Sequence, residues 1–381
     1  MDSQNNFDVI VLGGGVIGCS IAYYLSKERL RVLVLEKESV GSQASSGAVG
    51  LLSVDSHPFS DDNFRQAALF CRKAYADLSV DFKARYGNDL AYEQCGILRV
   101  AKTPEDLEVI RKEALWHQKN VAQVQELSAD EILSRWPQIA GKLVGGVFYS
   151  HDAQVTSSRV VEGLAQAAKE LGVIFKENAI VTHFESKDST INCVEANKER
   201  YFAKHFILAT GSWLGRLSHF FGFEIPMEPI RGQLLILQMK ERLLPMPVTV
   251  GGAEYYYLVP KQDQHLYAGT TLEKAGFDSV TTEDALAKIA SEVTDLVPQV
   301  SSLSVRGSWA GLRPATPDDL PVLGRMPNFK NLWAGGGHYR KGILLAPWTG
   351  QTMADLILNR KPSISLESFS PARFQVLENR P

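Results

Sequence analysis

The chain has 381 residues, 45% of them hydrophobic, and 40 basic side chains nearly balance 43 acidic ones for a net charge of −3. That length suits about two domains of ~100–200 residues with ample core, and the balanced charge excludes a polyanion such as nucleic acid as the partner. Cys19, Cys71, Cys95 and Cys193 lack metal-ligand spacing, so no metal is expected and a reducing cytoplasm is; with no basic n-region and only a short apolar run before Gly13, neither a signal peptide nor a membrane span is expected.

In chain order, Phe7 to Leu12 reads as a strand that stops at Gly13-Gly14-Gly15-Val16-Ile17-Gly18. A helix packed by one face follows over Cys19 to Glu28, then a second strand, Arg31 to Leu35, with Glu36 at its C-terminal end. Each part has a chemical reason. Gly13 permits the tight turn, Gly15 lets backbone approach a pyrophosphate, and Gly18 lets helix pack on strand. Phosphate oxygens meet free N–H groups at the helix N-terminus, and Glu36 accepts from the adenosine ribose hydroxyls. An acid there favours FAD or NAD over NADP. The motif leaves FAD and NAD both open; its N-terminal position and the small-residue loop Gly41 to Gly50, suited to lie against a cofactor, turn the reading to FAD.

Asp61 to Ala84 reads as a helix, Tyr92 to Ala101 as strand-like, and Thr103-Pro104 and Ser128-Ala129-Asp130-Glu131 as two helix starts. Gly145 to Tyr149 returns to strand, Ser157-Ser158 is expected to cap a helix ending at Leu171-Gly172, and strands follow at 173–175, 180–184, 190–195 and 205–209. The turn Thr210-Gly211-Ser212-Trp213 is either a close approach of backbone to a ligand or an ordinary tight turn. Pro226 to Gln238 and Tyr255 to Thr271 look antiparallel, Thr282 to Val297 helical, Asn331 to Ala334 strand, and Ile343 to Asn359 helix.

Within Ser308 to Asp318 one arginine, Arg313, stands among small and rigid residues. Its planar fork suits bidentate capture of a carboxylate, although an isolated arginine is more commonly a surface or salt-bridged one. Gly335-Gly336-Gly337 precedes His338-Tyr339-Arg340-Lys341-Gly342 and a helix, whose N-terminus would stabilise negative charge on a reduced flavin.

Taken together, the Gly13-x-Gly15-x-x-Gly18 unit with Glu36, the Ala209-Thr210-Gly211 turn, Ala310-Gly311-Leu312-Arg313-Pro314 and Gly337 to Pro347 resemble the FAD-dependent D-amino-acid oxidase family over essentially the whole chain, and most of all its glycine-oxidising branch. The resemblance implies an α/β fold: a Rossmann-like FAD-binding domain from residues 1–85, 145–225 and 305–381, and an α+β substrate domain on a mostly antiparallel sheet from 86–144 and 226–304. It implies non-covalent FAD held by Gly13, Gly15, Val16, Ile17, Gly18, Glu36, Lys37, Ala44, Ser45, Val49, Gly50 and Leu51, by Ile180 through its backbone on the adenine side, and by His338, Tyr339, Arg340, Lys341, Gly342, Ile343 and Leu344 around the flavin. Arg313 would hold the substrate carboxylate with Tyr257 facing it and Arg340 beside flavin and substrate, the three serving as the catalytic set.

Leu51 and Leu272 stand where that branch has methionine, and Tyr255 where it has histidine, so these three should reshape the substrate pocket. The implied reaction is oxidative deamination of glycine, sarcosine or small D-amino acids by hydride transfer to flavin N5, giving keto acid, ammonia or amine, and hydrogen peroxide from oxygen. A cytoplasmic homo-oligomer, with a tetramer as the family's form, and a link to thiamine synthesis are implied by the resemblance alone. The rivals are a dehydrogenase of the same fold that passes electrons to a carrier, and a non-catalytic flavin-binding protein. Against the second, Arg313, Tyr257 and Arg340 are more than a cofactor needs.

Overall fold

The computed structural model describes residues 5–118, 124–252 and 255–374. Asn6–Leu12 is the central strand of a parallel sheet, because Val9-Ile10-Val11-Leu12 offers apolar side chains to both faces. Val9 and Val11 pack into the cluster under the helices, Ile10 and Leu12 into the cluster on the opposite face. All four are almost fully buried, each worth ~1.5–3 kcal/mol. Val32–Leu35 and then Ile174–Lys176 lie to one side, Glu199–Leu208 and then Leu332–Gly336 to the other, all parallel. Val322–Arg325 closes that edge antiparallel, and the hairpin Val181–Lys187 with Thr190–Ala196 extends from Glu199–Leu208. Helices Val16–Lys27, Asp62–Tyr86, Ser157–Glu170 and Gly342–Ile357 cover one face.

The last of these helices carries Pro347 in its interior. Proline has no N–H, so the carbonyl of Ile343, four residues earlier, loses its helical donor. The Tyr75 hydroxyl, from helix Asp62–Tyr86, donates to that carbonyl instead, and Ser20 Oγ donates to Ala346 O at 2.6 Å.

A second eight-stranded sheet runs in the order Ser304–Ala315, Glu228–Gln238, His265–Gly269, Tyr256–Pro260, Val248–Val250, Ile97–Ala101, Gly145–Tyr149 and Val124–Leu127. It is antiparallel except where Val248–Val250 runs parallel to Ile97–Ala101. Its apolar face packs against Glu283–Leu296 and Ala129–Arg135, and against Pro104–Gln118 at the far end. The architecture is α/β, a Rossmann-like sheet joined to an α+β unit on a mostly antiparallel sheet.

The stretches 145–149 and 305–315 pair in the second sheet, with Ile97–Ala101 and Glu228–Gln238 as their partners. Several expectations need correction. Tyr92 to Cys95 contribute only an isolated bridge at Glu93, and Tyr255 to Thr271 is a hairpin of two strands. Thr156, not Ser157, occupies the helix cap position, with no side-chain bond; Ser157 and Ser158 lie inside the helix. The Ser128 capping box is present with both reciprocal bonds.

Candidate active site

A cavity of about 460 Å³ runs between the glycine turn of the first sheet and the inner face of the second. At one end the turn has the shape the spacing requires. Gly13 has φ +105°, and a Cβ there would stand 2.4 Å from Ala209 O; one on Gly18 would stand 1.9 Å from Gly13 O. A Cβ on Gly15 would meet only Ser45 Oγ at 3.2 Å, so that glycine opens space toward the cavity. The Val16 N–H donates to Ser45 Oγ at 3.0 Å, and no side chain caps Gly15 at the start of helix Val16–Lys27, which leaves first-turn N–H groups for an anion.

Glu36, 8% exposed, accepts from the N–H of Gly14 at 2.6 Å and of Glu38 at 2.9 Å. An ionised carboxylate has about four acceptor sites, so it keeps capacity for ribose hydroxyls. This end fits the adenosine and pyrophosphate of a dinucleotide: an open glycine, an uncapped helix start and an acid with lone pairs to spare.

The other end is cationic. Arg313, on strand Ser304–Ala315, donates from Nη1 to Thr271 O at 3.0 Å and from Nη2 to Thr270 Oγ1 at 2.7 Å. Burial lowers its pKa, Tyr257 opposes that and Arg340 adds to it. Room for the fork is made by Gly232, where a Cβ would lie 2.1 Å from Nη2. Gly269 does the same for Tyr257, whose hydroxyl burial pushes up to about 12 against the opposing pull of Arg313.

Arg340 Nε is buried with no hydrogen-bond partner among the described residues, its guanidinium 5.6 Å from the Tyr255 ring. His338, 2% exposed, lies 2.8 Å from Thr349 Oγ1 by its Nε2, and burial holds its pKa down to about 3, so the ring is neutral. Lys341 Nζ sits 5.2 Å from the Phe59 ring; burial, and then Arg340, bring its pKa down to about 7. The positive end therefore faces the cavity with no protein carboxylate bound to Arg313 or Arg340 among the described residues.

Of the residues expected from sequence, Gly13, Gly15, Val16, Ile17, Glu36, Lys37, Ala44, Ser45, Val49, Gly50, Leu51, Tyr255, Tyr257, Arg313 and 338–344 all line this cavity. Three do not. Gly18 serves packing behind the turn. Ile180, expected to act through its backbone, turns its side chain outward, 58% exposed, while its neighbours Ala179 and Val181 line the wall, as alternation in extended chain dictates. Leu272 is 36% exposed, because Thr271 and Glu273 on either side bond back to strand Glu228–Gln238 and turn it outward.

Sequence reasoning missed Trp309, Thr270, Gly232, Ser53 and His57, which also line the cavity. Trp309 packs so closely on Gly47 that a Cβ there would overlap its ring at 2.1 Å. Nothing local to 309 or 47 signals that contact. It also missed Ser212 Oγ, which donates to Leu312 O at 2.8 Å and ties the turn after Ala209 to the strand of Arg313.

A family model described as DAO, FAD dependent oxidoreductase, matches residues 8–356. The chain is 31% identical to a glycine oxidase of Geobacillus kaustophilus over 97% of each chain. A crystal structure of glycine oxidase from that species superimposes with a TM-score of 0.93 at 30% identity, covering 97% of this chain and 99% of that one. A bifunctional protein ThiO/ThiG of Trichormus variabilis is 31% identical over 97% of this chain and 55% of its own length.

Proposed function

The chain belongs to the FAD-dependent oxidoreductase family, and from that premise we propose that it oxidises glycine and close relatives, sarcosine and small D-amino acids, to keto acid, ammonia or amine, and hydrogen peroxide. The observation that carries the reading is Arg313: a guanidinium at the end of the cofactor cavity, hydrogen-bonded only to Thr271 O and Thr270 Oγ1 among the described residues, with no carboxylate of its own. A buried cation without a counter-ion is costly, and a substrate carboxylate supplies one. The glycine oxidases among the relatives support glycine as the smallest substrate to bring it.

The residues that would hold FAD are those of the glycine turn and Glu36 at the adenosine end and 338–344 at the flavin end. When bound, FAD supplies the hydride acceptor and the route of electrons to oxygen. The chain's own part is positioning. Arg313 takes the carboxylate through its fork, and the Tyr257 hydroxyl, kept protonated by its raised pKa, is placed to donate to the same group. Arg340 adds a second positive charge beside it. Two guanidiniums near the substrate nitrogen disfavour an ammonium and so favour the neutral amine whose lone pair drives C–H cleavage. No acid or base of the protein is required at the α-carbon.

Arg313 is the test. Arg313→Ala should lose roughly 30- to 5,000-fold in kcat/KM for glycine, the cost of unpairing a partly desolvated charge, and Arg313→Lys should fall between. Both should keep FAD, and inhibition by small carboxylates such as glycolate should weaken in parallel. An alanine variant of near-normal kcat/KM places the carboxylate elsewhere and ends the assignment. Peroxide released per keto acid formed separates an oxidase from a dehydrogenase.

A further inference from the structure

Beside the main cavity lies a second one of about 30 Å³. The two share a wall of Leu51, Ser53, His57 and Tyr255. The far side of the annex is polar, built by Arg99, Glu113 and Thr249.

Arg99, on strand Ile97–Ala101, ion-pairs with Glu113 and donates to Ser56 O at 3.0 Å and Gly252 O at 3.2 Å. The two opposite charges leave the annex without net charge. Thr249 is 4% exposed, and its hydroxyl has no hydrogen-bond partner among the described residues. The Tyr255 ring lies 5.9 Å from the Arg99 guanidinium and 5.6 Å from that of Arg340, so one side chain touches both compartments.

Resting on the reading of the main cavity as an amino-acid oxidase site, we propose that the annex is a subsite for an uncharged hydrogen-bonding group, a hydroxyl or carboxamide, at the end of a short substituent on the substrate. The charge pattern selects that chemistry. A second carboxylate would face Glu113, an ammonium would face Arg99, and an alkyl end would leave the Thr249 hydroxyl unmet at the usual cost of a buried polar group. The size agrees: a water needs about 10–15 Å³ measured this way, so the annex holds about two heavy atoms of the polar kind. The substituent is carried either on the α-carbon or on the nitrogen, and the experiment tells them apart.

The holoenzyme is assayed first with glycine, then with two pairs that differ only by hydroxyl against methyl: N-(2-hydroxyethyl)glycine against N-propylglycine, and D-homoserine against D-norvaline. In one pair the hydroxylated member should have kcat/KM higher by roughly 3- to 10-fold, the worth of one neutral hydrogen bond, and that pair identifies the source. Thr249→Val should bring the ratio toward one, while Thr249→Ser should keep it. Glycine turned over with no hydroxyl preference in either pair overturns the annex alone, and so does a preference that survives in Thr249→Val. A wild type inert toward glycine and all four analogues overturns the oxidase reading and the annex with it.

Discussion

His338 shows how a single residue lining the cavity bears on acid stability. Its ring is buried with only Thr349 Oγ1 at hand, and burial holds its pKa at about 3 where an exposed imidazole has 6.5. The folded protein therefore binds fewer protons than the unfolded chain between those values, so stability from this group is fully present above pH 6.5 and is lost as pH falls toward 3. From pH 7.5 to pH 5 the loss amounts to about 2 kcal/mol. His338→Gln, which carries no titrating group, should lose about that much less over the same interval when urea unfolding is followed at both pH values. Equal losses in the two proteins would mean that the imidazole is not held neutral. Its place after three glycines made the residue readable as a candidate for the site, and it does line the cavity; its neutrality was not readable, because Thr349 lies a full turn and more into the next helix.

At the scale of elements, Pro347 and Tyr75 form a unit. A proline inside Gly342–Ile357 frees the Ile343 carbonyl, and the Tyr75 hydroxyl occupies it from a helix more than 250 residues away. Ile343 itself lines the cavity, so this bond fixes the helix's first turn against it. Tyr75→Phe should cost about 1–3 kcal/mol, the penalty of a buried acceptor left unmet, and should weaken FAD retention. Thermal unfolding of the holoenzyme and equilibrium dialysis of FAD check both, and an unaltered midpoint would mean that another donor serves Ile343. Elements that bury both faces, such as Val32–Leu35, were plain in the sequence. Ser304–Ala315 was not recognised as a strand, for a physical reason: Gly311 and, opposite it, Gly232 are glycines because Trp309 and Arg313 need the space a Cβ would take. A strand shaped around functional side chains loses the alternation by which strands are read.

For the molecule as a whole, the cofactor motifs are each local and readable, whereas the cavity they form depends on two sheets meeting, for which no local signal exists. Lys261 is one joint between them. It stands just after strand Tyr256–Pro260 of the second sheet, 5% exposed, and its ammonium donates to Val49 O at 2.6 Å, Val155 O at 2.8 Å and Gln154 Oε1 at 3.1 Å. Val49 belongs to the loop that walls the cavity, so one side chain ties the second sheet to that loop. Burial lowers the pKa of this amine to about 7, yet all three neighbours are acceptors, and only the charged form serves them all. Lys261→Met keeps the length of the stem and removes every donor, leaving acceptors that are buried or half-buried. The expected result is a loss of at least about 2 kcal/mol in stability, easier release of FAD, and a lower kcat/KM for glycine with Arg313 intact. If Lys261→Met keeps both the unfolding midpoint and the FAD affinity of the parent, the two sheets are held in register by other contacts, and Lys261 is an occupant of the joint rather than its fastening.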